Sequence, residues 1–263
     1  MVGEAKKSES GGDTPALGEM LGWIRRIVGF GTRRPGYPQS LQVEAWLEQA
    51  FREFGLAEVR REPVPVNCWL PATTSLLPSE GVELPVFPIP YTAWTSPDGI
   101  ALPMVFMGEG RPEDLATVDL RGRIAVAEMR FASLPGVALK HGARFVRDAH
   151  HSVPDGPLHV ANWMIRNFPV FYEAQRRGAA GFVGLLVDSP VDGCDFYVPY
   201  DGHLKGMPGI WVGREHAARL RALAAASQPA RLVSTGETST VTSHNIVGIV
   251  PGNGGAGPRS ENI

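Results

Sequence analysis

The stretch Thr242-Ser243-His244-Asn245-Ile246-Val247-Gly248-Ile249-Val250-Pro251-Gly252, TSHNIVGIVPG, decides how the chain is read. From His244 to Val250 it is apolar and β-branched, which suits a strand covered on both faces, and Pro251-Gly252 ends it with a turn. A strand of that kind belongs inside a sheet, with further elements to follow. Only the glycine-rich Asn253 to Ile263 comes after it. The expectation is therefore a chain cut short before its sheet is complete.

That tail contains GNGGAG, in which Gly252, Gly254 and Gly257 satisfy G-x-G-x-x-G directly after an apolar strand. A dinucleotide fingerprint works by seating a pyrophosphate on the helix that the glycines open. Here Pro258-Arg259-Ser260 and the last residues leave no helix. The motif reads as a flexible glycine turn, and no cofactor-binding residue is assigned.

Working outward, the 263 residues are 43% hydrophobic and 20% charged, the balance of a soluble globular protein, and 31 Gly with 23 Pro point to many turns and short elements. A net charge of −2 gives no global field that would gather nucleic acid or an anionic membrane. The pairs Arg25-Arg26, Arg33-Arg34, Arg60-Arg61 and Arg176-Arg177 are scattered over separate elements and read as solvated faces. The start has no apolar core of a secretory signal, and no run of about 18 apolar residues spans a bilayer. A cytoplasmic protein is expected. Cys68 and Cys194 are too few for a disulfide framework or a cysteine metal site and read as two thiols, with a single bridge as the alternative.

Residues 1–12 are polar and Ser/Gly-rich and read as a disordered tail. Residues 13–66 open with a helix capped by Thr14, with Pro15 at its first position and Leu17, Met20, Leu21, Ile24, Ile27 and Val28 on one stripe. A second helix capped by Ser40 repeats Val43, Trp46, Leu47, Ala50, Phe51 and Phe54 and ends at Gly55, before the strand LAEVRREPVPV. From Asn67 the texture changes to short strands between Gly/Pro turns, TTSLL, VELPVFPI, ALPMVFM and GRIAVAEM, as in a small sandwich or barrel. Helices at about 169–177 and 214–226 each accompany an apolar strand, GFVGLLV and GIWVG. Residues 131–168 have no regular pattern and read as an insertion or a mobile loop.

The insertion carries His141, Asp148, His150, His151, Asp155 and His159, residue types that ligate zinc. Without H-e-x-x-H spacing, and with Pro154, Gly156 and Pro157 in place of a rigid scaffold, they read as surface histidines. No G-x-S-x-G elbow occurs. Glu113-Asp114 reads as the first turn of a short helix, and Asp188 and Asp192 as caps of a Ser-Pro turn. The loop 189–206 holds Phe196, Tyr197 and Tyr200, which are either contact anchors or packing beneath the loop.

Four stretches in order carry a resemblance: Asp119–Met129 (DLRGRIAVAEM), Phe171–Asp188 (FYEAQRRGAAGFVGLLVD), Met207–Leu223 (MPGIWVGREHAARLRAL) and Thr242–Gly252. They resemble a protease-associated domain and its exit into an aminopeptidase-like co-catalytic zinc peptidase, the family of leucyl aminopeptidases, transferrin-receptor ectodomains and glutamate carboxypeptidase-like proteins. Gly29–Leu56 is similar to that family's front helices. The resemblance implies an α+β fold: a protease-associated β-sandwich or barrel with flanking short helices at 67–240, inserted after the N-terminal helices of an incomplete α/β zinc-peptidase domain, with 241–263 as the return strand. Such peptidases need a His-x-Asp after this strand and a Glu-Glu pair further on. The chain contains neither dipeptide pattern. No catalytic or metal-ligating residue is assigned, and zinc is expected only in a full-length family member.

What the resemblance implies for function is the front portion of a zinc-dependent exopeptidase, inactive by itself, that meets a peptide or protein substrate through its protease-associated domain. The alternative is a complete protease-associated module that binds protein or peptide without catalysis. No nucleic acid or membrane partner is expected, and association into a homo-oligomer stays open.

Overall fold

The computed structural model describes residues 15–159, 165–189, 191–250 and 252. In chain order its elements are α1 (Leu17–Gly29), α2 (Pro38–Glu53), β1 (Ala57–Pro78), β2 (Phe87–Pro88), β3 (Ile100–Phe106), α3 (Pro112–Leu115), β4 (Ile124–Glu128), β5 (Ser133–Pro135), α4 (Gly136–Gly142), β6 (Pro157–His159), α5 (Pro169–Arg176), β7 (Gly181–Leu186), β8 (Gly209–Gly213), α6 (Arg214–Ala225) and β9 (Pro229–Ile249). The chain divides into two units. One comprises the described residues up to Cys68 together with those from Thr240; the other is Trp69–Ser239. The tail 1–12 and the glycine loop beyond Gly252 lie outside the described residues.

In the first unit, α2 starts three residues earlier than expected, with Pro38 at its first position and Tyr37 rather than Ser40 as N-cap. Proline's fixed φ and missing N–H suit that position. The helix ends at Glu53 with Phe54 as C-cap, followed by Gly55 at φ +75°. α1 begins at Leu17 with Ala16 as N-cap, and the expected cap Thr14 lies outside the described residues. The helices meet through aromatic side chains: Trp23 stands edge-on to Phe54 at 5.2 Å, Phe30 lies 6.1 Å from Trp46, and the Arg26 guanidinium sits 5.4 Å from the Trp46 ring centre. Of the aliphatic stripe of α1, Leu17, Met20, Leu21, Ile24 and Val28 are exposed and Ile27 is half-buried, and no residue of α1 is buried. The strand His244–Val250 is likewise not covered on both faces. Ile246 and Val247 are half-buried, and Asn245, Ile249 and Val250 are exposed. Its apolar composition therefore exceeds the burial that the described residues provide.

The second unit is built on a mixed α/β sheet in place of the expected sandwich or barrel. Seven strands run in the order β1-β9-β3-β4-β7-β8-β2. The centre is parallel: β3 pairs with β4 (Met104 opposite Ile124), β4 with β7 (Val126 opposite Val183) and β7 with β8 (Leu185 opposite Val212). β9 and β2 add antiparallel partners to β3 and β8. Every residue of β4, β7 and β8 is buried, as parallel strands sandwiched by helices require.

Alternation along these strands separates two cores. Ala125, Ala127, Phe182 and Trp211 face Val170, Phe171 and Ala174 of α5, and Ile124, Val126, Val183, Ile210 and Val212 face Ala217, Leu220 and Ala224 of α6. β1 is longer than expected because TTSLL continues it, and it tolerates Pro63, Pro65 and Pro71 by lying at the sheet edge, where a missing N–H breaks no inner ladder. Among the described residues no helix is long and apolar enough to cross a membrane.

Candidate functional site

Open α/β sheets bind ligands outside the carboxyl ends of their parallel strands. β4 ends at Glu128, a carboxylate at the margin of an apolar sheet with little access to water. Arg130 donates from Nη2 to Glu128 at 2.9 Å and from Nε to Glu109 at 2.7 Å, and Arg221 of α6 donates to the other oxygen of Glu128. Arg111 donates to Glu109 at 2.8 Å. Asn167 closes the cluster: its Oδ1 accepts the Arg130 N–H at 2.9 Å, and its Nδ2 donates to the carbonyls of Glu109 and Glu128. Hydrogen bonds from Arg130 and then Arg111 hold the Glu109 carboxyl below the usual carboxylate range. Glu128 has two guanidinium partners, and Glu109 has Arg130 and Arg111 with Arg166 at 4.0 Å. That is the chemistry of a strut joining the ends of β3 and β4 to α6, with no group left over as an acid, base or nucleophile.

Beyond β7 the loop forms a cavity of about 310 Å³, lined among others by Leu186, Ser189, Asp192, Cys194, Asp195 and Phe196. Arg214, the first residue of α6, ties it together, donating to Asp192 at 2.7 Å and to the Ser189 carbonyl at 2.9 Å. The Cys194 thiol is pushed up to about 11, by burial first and then by the negative charges of Asp195 and Glu215. A thiol at that value is protonated near neutral pH and is a poor nucleophile. Lys205 pins the far end of the loop, with Nζ donating to Asp201 at 2.9 Å and to the carbonyls of His203 and Pro90. Burial lowers the Lys205 pKa, with the Asp201 contact opposing it.

The residues singled out in the sequence take structural positions. Asp114 accepts the backbone N–H groups of Glu109 and Arg111 at 3.1 Å and caps α3. Asp188 accepts the Phe131 N–H at 3.0 Å. Phe196 is buried against Phe131 and Trp211, while Tyr200 is exposed. Neither Cys68 nor Cys194 is in a disulfide. In the histidine-rich segment, Asp148 accepts from the backbone of Ser152 and Val153 and from the Ser152 hydroxyl, Asp155 pairs with Lys140 at 2.9 Å, and His141, His150 and His151 are exposed. Among the described residues, no group of three or more His, Cys, Asp or Glu is placed to hold a metal ion.

The first unit holds one more cluster. Glu44 of α2 is buried, accepts a hydrogen bond from the Ser243 hydroxyl and lies 3.0 Å from His244 Nδ1. Burial would raise its pKa, but the hydrogen bonds from Ser243 and His244 prevail and hold it below the ordinary carboxylate value. Sequence spacing gave no hint of this pairing across nearly the whole chain, nor of the contacts between Arg221 and Glu128.

No protein-family model matches the sequence, and no curated protein matches it. Solved structures do. An aminopeptidase from Aneurinibacillus sp. is 18% identical with a TM-score of 0.56, over 88% of this chain and 47% of that one. A peptidase M28 precursor from Shewanella amazonensis is 16% identical with a TM-score of 0.58, over 86% and 48%. A zinc aminopeptidase from Bacillus subtilis is 16% identical with a TM-score of 0.53, over 84% and 44%. The chain spans about half the length of the solved structures it matches, and at these identities the likeness is one of fold: the mixed α/β architecture of part of such aminopeptidases.

Proposed function

We propose that the chain is the front portion of a zinc-dependent, aminopeptidase-like exopeptidase that hydrolyses peptide bonds at full length. Trp69–Ser239 is then its inserted protease-associated domain, and α1, α2 and the adjoining ends of β1 and β9 are the first part of the peptidase domain. The observation that carries this reading is the asymmetry of the likeness, which extends over 88% of this chain but 47% of the aminopeptidase it matches. The exposed aliphatic stripe of α1 supports it, because an apolar helix face of that width ordinarily packs on a sheet.

The described residues do not fit a zinc site, so no catalytic step is assigned to them. The part this chain plays is to border the cleft and restrict which peptide or protein substrates reach it, a contribution to specificity rather than chemistry. Two measurements test the reading. Purified chain is expected to show no chelator-sensitive aminopeptidase activity, and such activity would overturn the assignment. Reading the transcript beyond codon 263 is expected to reveal a strand ending in His-x-Asp and a later Glu-Glu pair; a stop codon at that point would contradict it equally.

A further inference from the structure

Between Phe131 and Ile165 the chain leaves the main sheet and builds a separate two-stranded arm. β5 runs antiparallel to β6, with Ser133 opposite His159 and Pro135 opposite Pro157, and α4 follows β5. The base is fixed by the Phe131 N–H donating to Asp188 and the Arg166 N–H donating to the Arg130 carbonyl. α4 is tied back by the N–H groups of Gly136 and Val137, which donate to the carbonyls of Gly156 and Asp155.

The outer part of this arm carries exposed apolar side chains among polar ones. Phe145 is 79% exposed, and Val137, Leu139 and Val146 are 41%, 42% and 42% exposed. Large apolar side chains gathered on one small excursion mark an interaction surface. Its electrostatics are one-sided. The carboxylate of Asp155 pairs with Lys140, and that of Asp148 is taken up by the N–H groups of its own turn. Arg144 and Arg147, which bracket Phe145-Val146, have no ion-pair partner among the described residues.

We propose that this arm docks an acidic peptide segment of a partner protein, one whose carboxylates flank an apolar residue. Two guanidinium forks can each take a carboxylate through paired hydrogen bonds, and the exposed aromatic that lies between them in sequence supplies the kind of anchor such interfaces centre on. An anionic lipid surface fits less well, because stable recognition there takes clusters of about four to eight Lys or Arg. The proposal goes beyond the peptidase reading and is judged by binding alone.

The test uses the whole chain and a fluorescein-labelled peptide of alternating Glu and Leu, followed by anisotropy. Binding is expected, weakening as salt is added, and the matching Gln–Leu peptide is expected to bind about tenfold or more weakly. Arg144→Glu/Arg147→Glu should lose the Glu–Leu peptide and gain the Lys–Leu one, and Phe145→Ser should weaken binding with the unfolding midpoint unchanged. Failure to bind the Glu–Leu peptide, equal affinity for the Gln–Leu peptide, or salt-independent binding would each overturn the proposal. So would binding confined to phosphatidylserine vesicles, or a self-association that the same substitutions abolish.

Discussion

His244 Nδ1 lies 3.0 Å from the Glu44 carboxylate, whose other oxygen accepts the Ser243 hydroxyl, so one buried charge on α2 collects two consecutive residues of β9. Because Glu44 titrates below the ordinary carboxylate value when folded, its ionised form favours the folded state. This stability is present in full above the unfolded carboxylate range and is lost as pH falls through the lower folded value. Glu44→Gln should cost about 1–3 kcal/mol near neutral pH, and the gap from the unsubstituted protein should narrow as the pH is taken below that range. Denaturant unfolding at a series of pH values checks this; a gap independent of pH would show that the charge is not what holds the two strand residues.

Gly184 lies in the middle of β7, and a methyl group there would collide with the Trp211 ring of the neighbouring strand and stand 3.0 Å from Met129 Cγ. Neither neighbour has room to yield, since both are fully buried. Gly184→Ala should cost about 3 kcal/mol. Gly122 is the control: it adopts φ +64° with nothing within 4 Å of an added Cβ, so Gly122→Ala should cost about 1 kcal/mol through backbone strain alone. Urea midpoints followed by tryptophan fluorescence give the order of the two effects, and the reverse order would place the crowding elsewhere.

Arg130 bridges Glu109 and Glu128, and Arg130→Met leaves Glu128 with Arg221 and Glu109 with Arg111 and the more distant Arg166. Since Arg130 is 31% exposed, solvent screening keeps the cost toward the low end of about 1–3 kcal/mol. The sharper readout is Glu109. Its depressed folded pKa contributes stability above the ordinary carboxylate range that is lost as pH falls through the folded value, and losing the Arg130 hydrogen bond should move that loss to higher pH. A carboxyl NMR titration of Glu109 is expected to shift upward in the variant; an unmoved titration would assign the pKa to Arg111 alone.

The pattern of what the sequence disclosed has a physical basis. α2, α5 and α6 and the strands β3, β4, β7 and β8 were legible because periodicity and apolar runs are local properties. Strand order is not local: nothing in GRIAVAEM or GFVGLLV says that Val126 will lie opposite Val183 in a parallel pair. Prolines, ordinarily strand breakers, hid that β1 is a single edge strand continuing to Pro78. The arm at 133–159 gave no signal, since its strands have three residues each. The Glu109–Arg130–Glu128–Arg221 cluster joins residues scattered over the second unit, and long-range charge pairing leaves no spacing to find.

The aliphatic face of α1 gives the most direct access to the proposed function. Leu17, Leu21, Ile24 and Val28 are 70%, 39%, 55% and 63% exposed, while the same helix spends Trp23, Arg26 and Phe30 on α2. Were the aliphatic side packed within the chain, Ile24→Gln/Val28→Gln would cost about 2–5 kcal/mol per site. Exposed, the pair should change stability by only about 0.5 kcal/mol. It should also reduce binding of a hydrophobic dye such as anilinonaphthalene sulfonate by about half or more, because the stripe is a contiguous apolar patch. In a longer protein carrying the rest of a peptidase domain, the stripe would be covered, so the unsubstituted long form should bind little dye and the same double substitution should become strongly destabilising. A long form that binds dye as the 263-residue chain does would leave the stripe without the role assigned to it.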